Sequence, residues 1–304
     1  MIFESIFSLK MKLISQKTQI VLLRSYINTL AHFSELKAGE LTTKLFFTPR
    51  KGGLTDENRK TLSSATWETL MLNDINIQTY RWEGGKDTVL LTHGWESNAA
   101  RWQQMAKKLR KSGFTVVAMD APAHGESGSE YFNAFLYSEM IAVVAKRFSP
   151  VAVIGHSVGA FSAAYYAAHH LHPSVKRLVL LASPSELNQI FDKFLHFFKV
   201  NKKVRRGFYK NLENRFGKPI EYFSIKERVK TLAIKGLIIH DVSDDVCAVV
   251  DAKNIHANWK DSELIITEGY GHTLRDDKVQ TMVVDYLKKE LLETPTFAPN
   301  TDKL

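Results

Sequence analysis

Between residues 87 and 292 the chain repeats one pattern: a short unbroken apolar run, then a segment of helical length. The runs are TVLLTH at 88–93, FTVVAMD at 114–120, VAVIG at 151–155, RLVLLAS at 177–183, GLIIHDV at 236–242 and ELIITEG at 263–269. An unbroken apolar run has no polar face to offer to water, so a strand built from it must be covered on both sides. Such strands, alternating with helices, predict a mostly parallel, doubly wound α/β sheet between helical layers. The helices expected between the runs include 98–111, 131–148, 158–170 and 276–292. Trp102, Met105, Ala106 and Leu109 fall on one face of the first, and Val279, Met282, Val283, Tyr286 and Leu287 on one face of the last.

The rest of the chain follows other patterns. Residues 13–36 read as one amphipathic helix, with Leu13, Val21, Tyr26, Leu30 and Phe33 among its apolar positions. Residues 66–82 alternate apolar and polar, as a half-buried strand does. Residues 184–230 are too long for a simple crossover and rich in Phe and Tyr, and Ile190, Phe194 and Phe197 repeat at helical spacing. They read as an inserted helical cap. The expected layout is a helical extension at 1–65, a core at 66–183 and 231–292, the cap at 184–230 and a flexible tail at 293–304.

Composition narrows the function classes. At 304 residues and 44% hydrophobic, the chain can bury a core without disulfide staples. Cys247 is the only cysteine, which suits a reduced, cytoplasmic compartment. No zinc spacing, P-loop or strand-linked G-x-G-x-x-G is present, so no metal or organic cofactor is expected. The net charge of +9 comes without a nucleic-acid recognition motif, so no nucleic-acid partner is expected. Its basic clusters leave peripheral contact with an anionic membrane open. Residues 148–175 carry no Asp, Glu, Lys or Arg, but Gly155, Gly159 and Pro173 interrupt them, so they read as strand, turn and helix rather than a membrane span. The first residues, MIFESIFSLKMKLISQK, scatter charge through the apolar positions and do not read as a signal peptide. Composition does not address the oligomeric state.

The run VAVIG leads straight into Gly155-His156-Ser157-Val158-Gly159. A bare G-x-S-x-G arises by chance in about one chain of this length in ten, so its context decides. Here a strand precedes it and a helix-forming stretch follows. A sharp strand-to-helix turn lifts a serine hydroxyl above the end of the sheet, and glycines two residues away on either side relieve the crowding. Such a serine needs a base, and the base needs an orienting acid. Asp241, Asp244 and Asp245 follow the GLIIH run, and His272 follows ELIITEG. We assign Ser157 as nucleophile, His272 as general base and then acid, and Asp244 as orienting carboxylate. Backbone N–H groups must receive the oxyanion. Val158 and, from the loop THGWES, Trp95 are the candidates. His93, His124 and His156 are expected to shape turns.

These residues carry a resemblance. HGW at 93–95, DAPAHGES at 120–127, GHSVG at 155–159, HDVSDD at 240–245 and GYGH at 269–272 make the stretch from about 87 to 292 resemble the α/β-hydrolase superfamily, in serine esterase or lipase form with an inserted cap. The resemblance implies an acid four residues after the histidine of the seventh strand, which falls on Asp244, with Asp245 and Asp241 as fallbacks. The familiar glycine after that histidine is Asp241 here. Serine at the elbow, rather than aspartate, argues against epoxide or haloalkane chemistry. The expected activity is cleavage of a small-molecule carboxylic ester or thioester through an acyl-enzyme. The alternatives are an acyltransferase using the same residues and a non-catalytic hydrolase-fold binding protein.

Overall fold

The structure, a computed structural model, describes residues 15–292. The N-terminal reading of residues 1–14 and the tail at 293–304 lie outside the described residues. The chain divides into two compact units: residues up to Thr48 with Glu186–Ser224, and Pro49–Ser185 with Ile225 onward.

The larger unit is built on an eight-stranded sheet in the order β1-β2-β4-β3-β5-β6-β7-β8. Its strands are β1 (Thr66–Leu72), β2 (Ile75–Trp82), β3 (Asp87–Thr92), β4 (Phe114–Met119), β5 (Ala152–His156), β6 (Arg177–Leu181), β7 (Lys235–Asp241) and β8 (Ser262–Thr267). From β4 to β8 every neighbouring pair is parallel, whereas β1 and β2 run antiparallel at one edge. Six of these strands coincide with the six apolar runs, and β4 and β5 are buried along their whole length. The expected single strand over 66–82 is instead a hairpin. Asn73, at φ 51°, turns the chain, and Leu72 pairs with Ile75. Asn tolerates this left-handed backbone better than most residues, so it can turn a chain without a glycine.

Helices cover the sheet: α3 (Asp56–Leu62), α4 (Gln103–Lys111), α5 (Ala134–Phe148), α6 (Val158–His170), α9 (Val249–Asn258) and α10 (Asp277–Leu287). Leu109 of α4, Leu62 of α3 and Val279, Val283 and Leu287 of α10 join Val89, Leu91, Val116 and Ile154 of the strands in one buried cluster. The expected extension at 1–65 is thus divided, because Leu62 belongs to this core.

The smaller unit holds α1 (Gln16–Phe33), α2 (Glu35–Phe47), α7 (Leu187–Phe197) and α8 (Lys202–Phe216). The helix expected at 13–36 ends early, at Ser34. The Ser34 N–H closes α1 on the Leu30 carbonyl, and its hydroxyl accepts from Lys37 N to open α2. Ile27, Ala31, Ala38, Phe198 and Val204 form the unit's core. Phe46 stacks edge-on against Phe191 and Phe194, with ring centroids 5.0 and 4.9 Å apart. Gly39 and Gly207 let α2 and α8 touch backbone to backbone: a Cβ on Gly39 would lie 2.0 Å from the Gly207 carbonyl carbon.

Candidate active site

Ser157 stands between β5 and α6 at φ 56°, ψ −128°, a backbone region costly for any residue with a Cβ. Hydrogen bonds fix it there. Its N–H donates to Leu181 O at 2.8 Å, and its carbonyl accepts from Ala160 and Phe161. The flanking glycines answer to close approach. A Cβ on Gly155 would lie 2.4 Å from Ala160 Cα, and one on Gly159 2.3 Å from His93 O. Gly94 passes over the serine, and a Cβ there would be 2.9 Å from Ser157 Cβ.

Loops after β7 and β8 bring two further side chains to the serine. His272 Nε2 lies 3.0 Å from Ser157 Oγ, and its Nδ1 lies 2.8 Å from Asp244 Oδ2. Nδ1–H donates to the carboxylate, which leaves Nε2 free to accept from the hydroxyl. The Asp244 side chain is fully buried, whereas the His272 side chain is partly open to solvent. Burial alone would raise the Asp244 carboxyl. Hydrogen bonds from His240, His272 and the Cys247 N–H outweigh it and hold the group below the usual carboxylate range. Asp244 is therefore ionised at neutral pH.

The two fallback acids do not reach His272. Asp241 is buried and accepts instead from Ser243 N and Oγ, from Thr267 Oγ1 at 2.8 Å and from Tyr270 N at 3.0 Å. It ties the β7 turn to the β8 turn. Asp245 is exposed. Val158 opens α6, where backbone N–H groups have no intrahelical acceptor. The Trp95 indole packs edge-on against His124 and Phe132, each at 5.4 Å between centroids.

A second layer of side chains holds these loops. His156 Nε2 lies 2.8 Å from the His272 carbonyl and pins the turn that carries the histidine. His240 Nε2 lies 2.9 Å from Cys247 O and 3.2 Å from Asp244 Oδ2. His93 Nε2 accepts from Ala121 N while its Nδ1–H donates to Gly94 O. His124 bridges Glu96 N and Pro122 O. Burial holds His93 and His156 well below the ordinary histidine range, and lowers His124, so these rings are neutral; His93 and His124 each work as one donor and one acceptor, whereas His156 bonds through Nε2 alone and its Nδ1 has no partner among the described residues. Asp120, fully buried, accepts from Tyr80 Oη, Ala99 N and Glu126 N, and burial pushes its carboxyl up to about 6. Sequence reasoning used His240 only as the point from which the acid is counted and gave no role to it or to Asp120, although both sit inside the motifs HDVSDD and DAPAHGES. A short motif read for one acid hides its other members. Among the described residues no group of acid, His and Cys side chains could hold a metal ion.

Comparison with known proteins adds to this geometry. Residues 87–227 match the family model described as the α/β-hydrolase fold. The pimeloyl-[acyl-carrier protein] methyl ester esterase of Cronobacter sakazakii is 33% identical over 154 residues, which cover 50% of this chain and 55% of that protein. The bifunctional esterase/perhydrolase of Acinetobacter calcoaceticus is 22% identical over 247 residues, 66% of this chain and 90% of that one. The chain spans about half the length of the pimeloyl-ester esterases it matches. Among solved structures, an esterase from Pyrococcus furiosus superposes with a TM-score of 0.63 at 18% identity, covering 80% of this chain and 97% of its own. The chain has the α/β-hydrolase fold, and its residues 87–227 match the model of that family.

Proposed function

We propose that the chain is a serine hydrolase that cleaves a carboxylic ester or thioester through an acyl-enzyme on Ser157. One observation carries the reading: the unbroken hydrogen-bonded line from Ser157 Oγ through His272 to the buried Asp244. Likeness to an esterase and to an esterase/perhydrolase supports ester cleavage as the reaction class.

Each residue then has one task. Ser157 Oγ bonds to the acyl carbon while its proton passes to His272 Nε2. The carbonyl π pair moves onto oxygen, which the N–H groups of Val158 and Trp95 receive. The closeness of Gly94 to Ser157 supports a donor from that loop. The intermediate collapses, the bond to the leaving oxygen or sulfur breaks, and His272 hands that atom its proton. Water reverses the sequence: its proton goes to His272, its oxygen bonds to the acyl carbon, and Ser157 leaves with the proton. Asp244 keeps Nδ1–H aimed and balances the imidazolium charge.

The test is turnover of p-nitrophenyl esters of rising chain length by wild type, Ser157→Ala and His272→Ala. Wild-type turnover that falls about a thousandfold or more in both variants is expected. Absence of turnover, together with absence of Ser157 labelling by a fluorophosphonate, rejects the reading and leaves a binding protein. Adding an alcohol acceptor tests acyl transfer: a new ester formed faster than free acid would replace hydrolase by acyltransferase.

A further inference from the structure

The outer face of α1 is unusual for a surface helix. Of its residues QKTQIVLLRSYINTLAHF, only Lys17 and Arg24 carry a formal charge. Ile20, Leu23, Ile27, Leu30 and Ala31 pack into the core of the smaller unit. On the opposite side Val21, Leu22, Tyr26 and Phe33 stay exposed, Phe33 by 84%. With Thr18 before them and Ser25 and Thr29 between them, they make one uncharged stripe roughly 22 Å long from Thr18 to Phe33 at 1.5 Å per residue. A helix that packs on one side normally turns charges outward, and a contiguous exposed apolar surface marks an interaction site. Leu36 and Phe197 of the same unit are also exposed, by 48% and 70%.

Charge lies along one edge of the stripe. Lys17 and Arg24 are seven residues apart, and Asn28 follows one turn later on the same edge. Asn28 Oδ1 accepts from Asn201 N at 2.8 Å, and Asn28 Nδ2 donates to Lys199 O at 3.3 Å. That anchors the segment bearing Lys199, Lys202 and Lys203 at Asn28, one turn from Arg24 on the same edge. Among the described residues Lys17, Arg24, Lys199 and Lys202 form no ion pair, whereas Lys203 lies within electrostatic reach of Glu35, and Arg205 and Arg206 are paired with Asp192 and Glu35. Among the described residues no helix is long and apolar enough to cross a membrane.

We propose that this face of the smaller unit docks on an anionic lipid bilayer. Val21, Leu22, Tyr26 and Phe33 enter the boundary between headgroups and acyl chains, and Lys17, Arg24, Lys199 and Lys202 meet the lipid phosphates. The chemistry favours lipid over a folded partner. An uncharged stripe edged by cations suits the boundary of an anionic bilayer, and lysines on long stems adapt to many headgroups.

Co-sedimentation of the full chain with phosphatidylcholine vesicles, with and without phosphatidylglycerol, tests this. Binding is expected on the anionic vesicles only, weakening as salt rises. Lys199→Gln and Lys202→Gln should each weaken it about fivefold. Phe33→Ser should weaken it about tenfold or more. These side chains are exposed, and an unchanged Tm checks that each variant is folded. Equal binding to neutral vesicles, or binding that no variant alters, overturns the proposal. So does a dimer in sedimentation equilibrium that Phe33→Ser splits while vesicles stay unbound, which would make a second copy the occupant.

Discussion

At the scale of single residues, Ser157 bears the clearest mark of use. Its left-handed backbone costs on the order of 1–3 kcal/mol, which the surrounding hydrogen bonds sustain. Glycine enters that region freely. Ser157→Gly is therefore expected to stabilise the fold by about 1 kcal/mol in urea while abolishing turnover. Ser157→Ala should abolish turnover with no gain in stability. His240 makes a second prediction. Its Nε2 lies 3.2 Å from the carboxylate that His272 uses. His240→Leu removes that contact and leaves the carboxylate less firmly placed against His272. Then kcat should fall, with KM little changed. An unchanged kcat while Tm drops would make His240 a packing residue only. Asp244 itself adds no limb near neutrality, since its carboxyl is held below the usual range.

Between elements, close backbone approach decides what is tolerated. α2 and α8 touch through Gly39 and Gly207, and a Cβ on Gly207 would lie 1.8 Å from Glu35 O. Gly207→Ala must push the helices apart at a cost of about 3 kcal/mol or more. Limited proteolysis should then cut within 15–48 or 186–224 before the sheet unit, and simultaneous loss of both units would refute this. The elements also differ in how far the sequence disclosed them. The six parallel strands were legible because a run such as FTVVAM has no polar face and only a doubly covered strand accepts it. The β1–β2 hairpin was not, since Leu72-Asn73-Asp74-Ile75 turns without Gly or Pro. Ser34 hid in the same way: its neighbours keep the helical period on both sides, and only its two capping hydrogen bonds break the helix.

For the whole molecule, buried titratable groups predict how stability depends on pH. His93 and His156 are held neutral well below 6.5, their ordinary value, so below pH 6.5 the unfolded chain takes up protons that the folded one refuses. Stability is lost as pH falls, by about 1.4 kcal/mol per pH unit for each histidine. Asp120 acts in the opposite sense. Its carboxyl titrates at about 6 in the fold and at 3.8 ordinarily, so acidification through that window adds stability. Tm should thus be level above pH 7, fall most steeply just below 6.5, and fall less steeply below 6, where Asp120 offsets one histidine. A Tm constant from pH 7 to pH 5 would contradict these burials. The sequence by itself determined the parallel core and the order of serine, acid and histidine along it, because each sits at the end of its own apolar run and strand ends are set by local chemistry. It put Asp244 first but left Asp241 and Asp245 open as fallbacks. Which way each points depends on loop dihedrals held by Thr267, Tyr270 and Cys247, residues that meet only in the fold. Nor could it join residues 15–48 to 186–224 in one unit. Periodicity reports that a helix has an apolar face, whereas the partner of that face is set by tertiary packing.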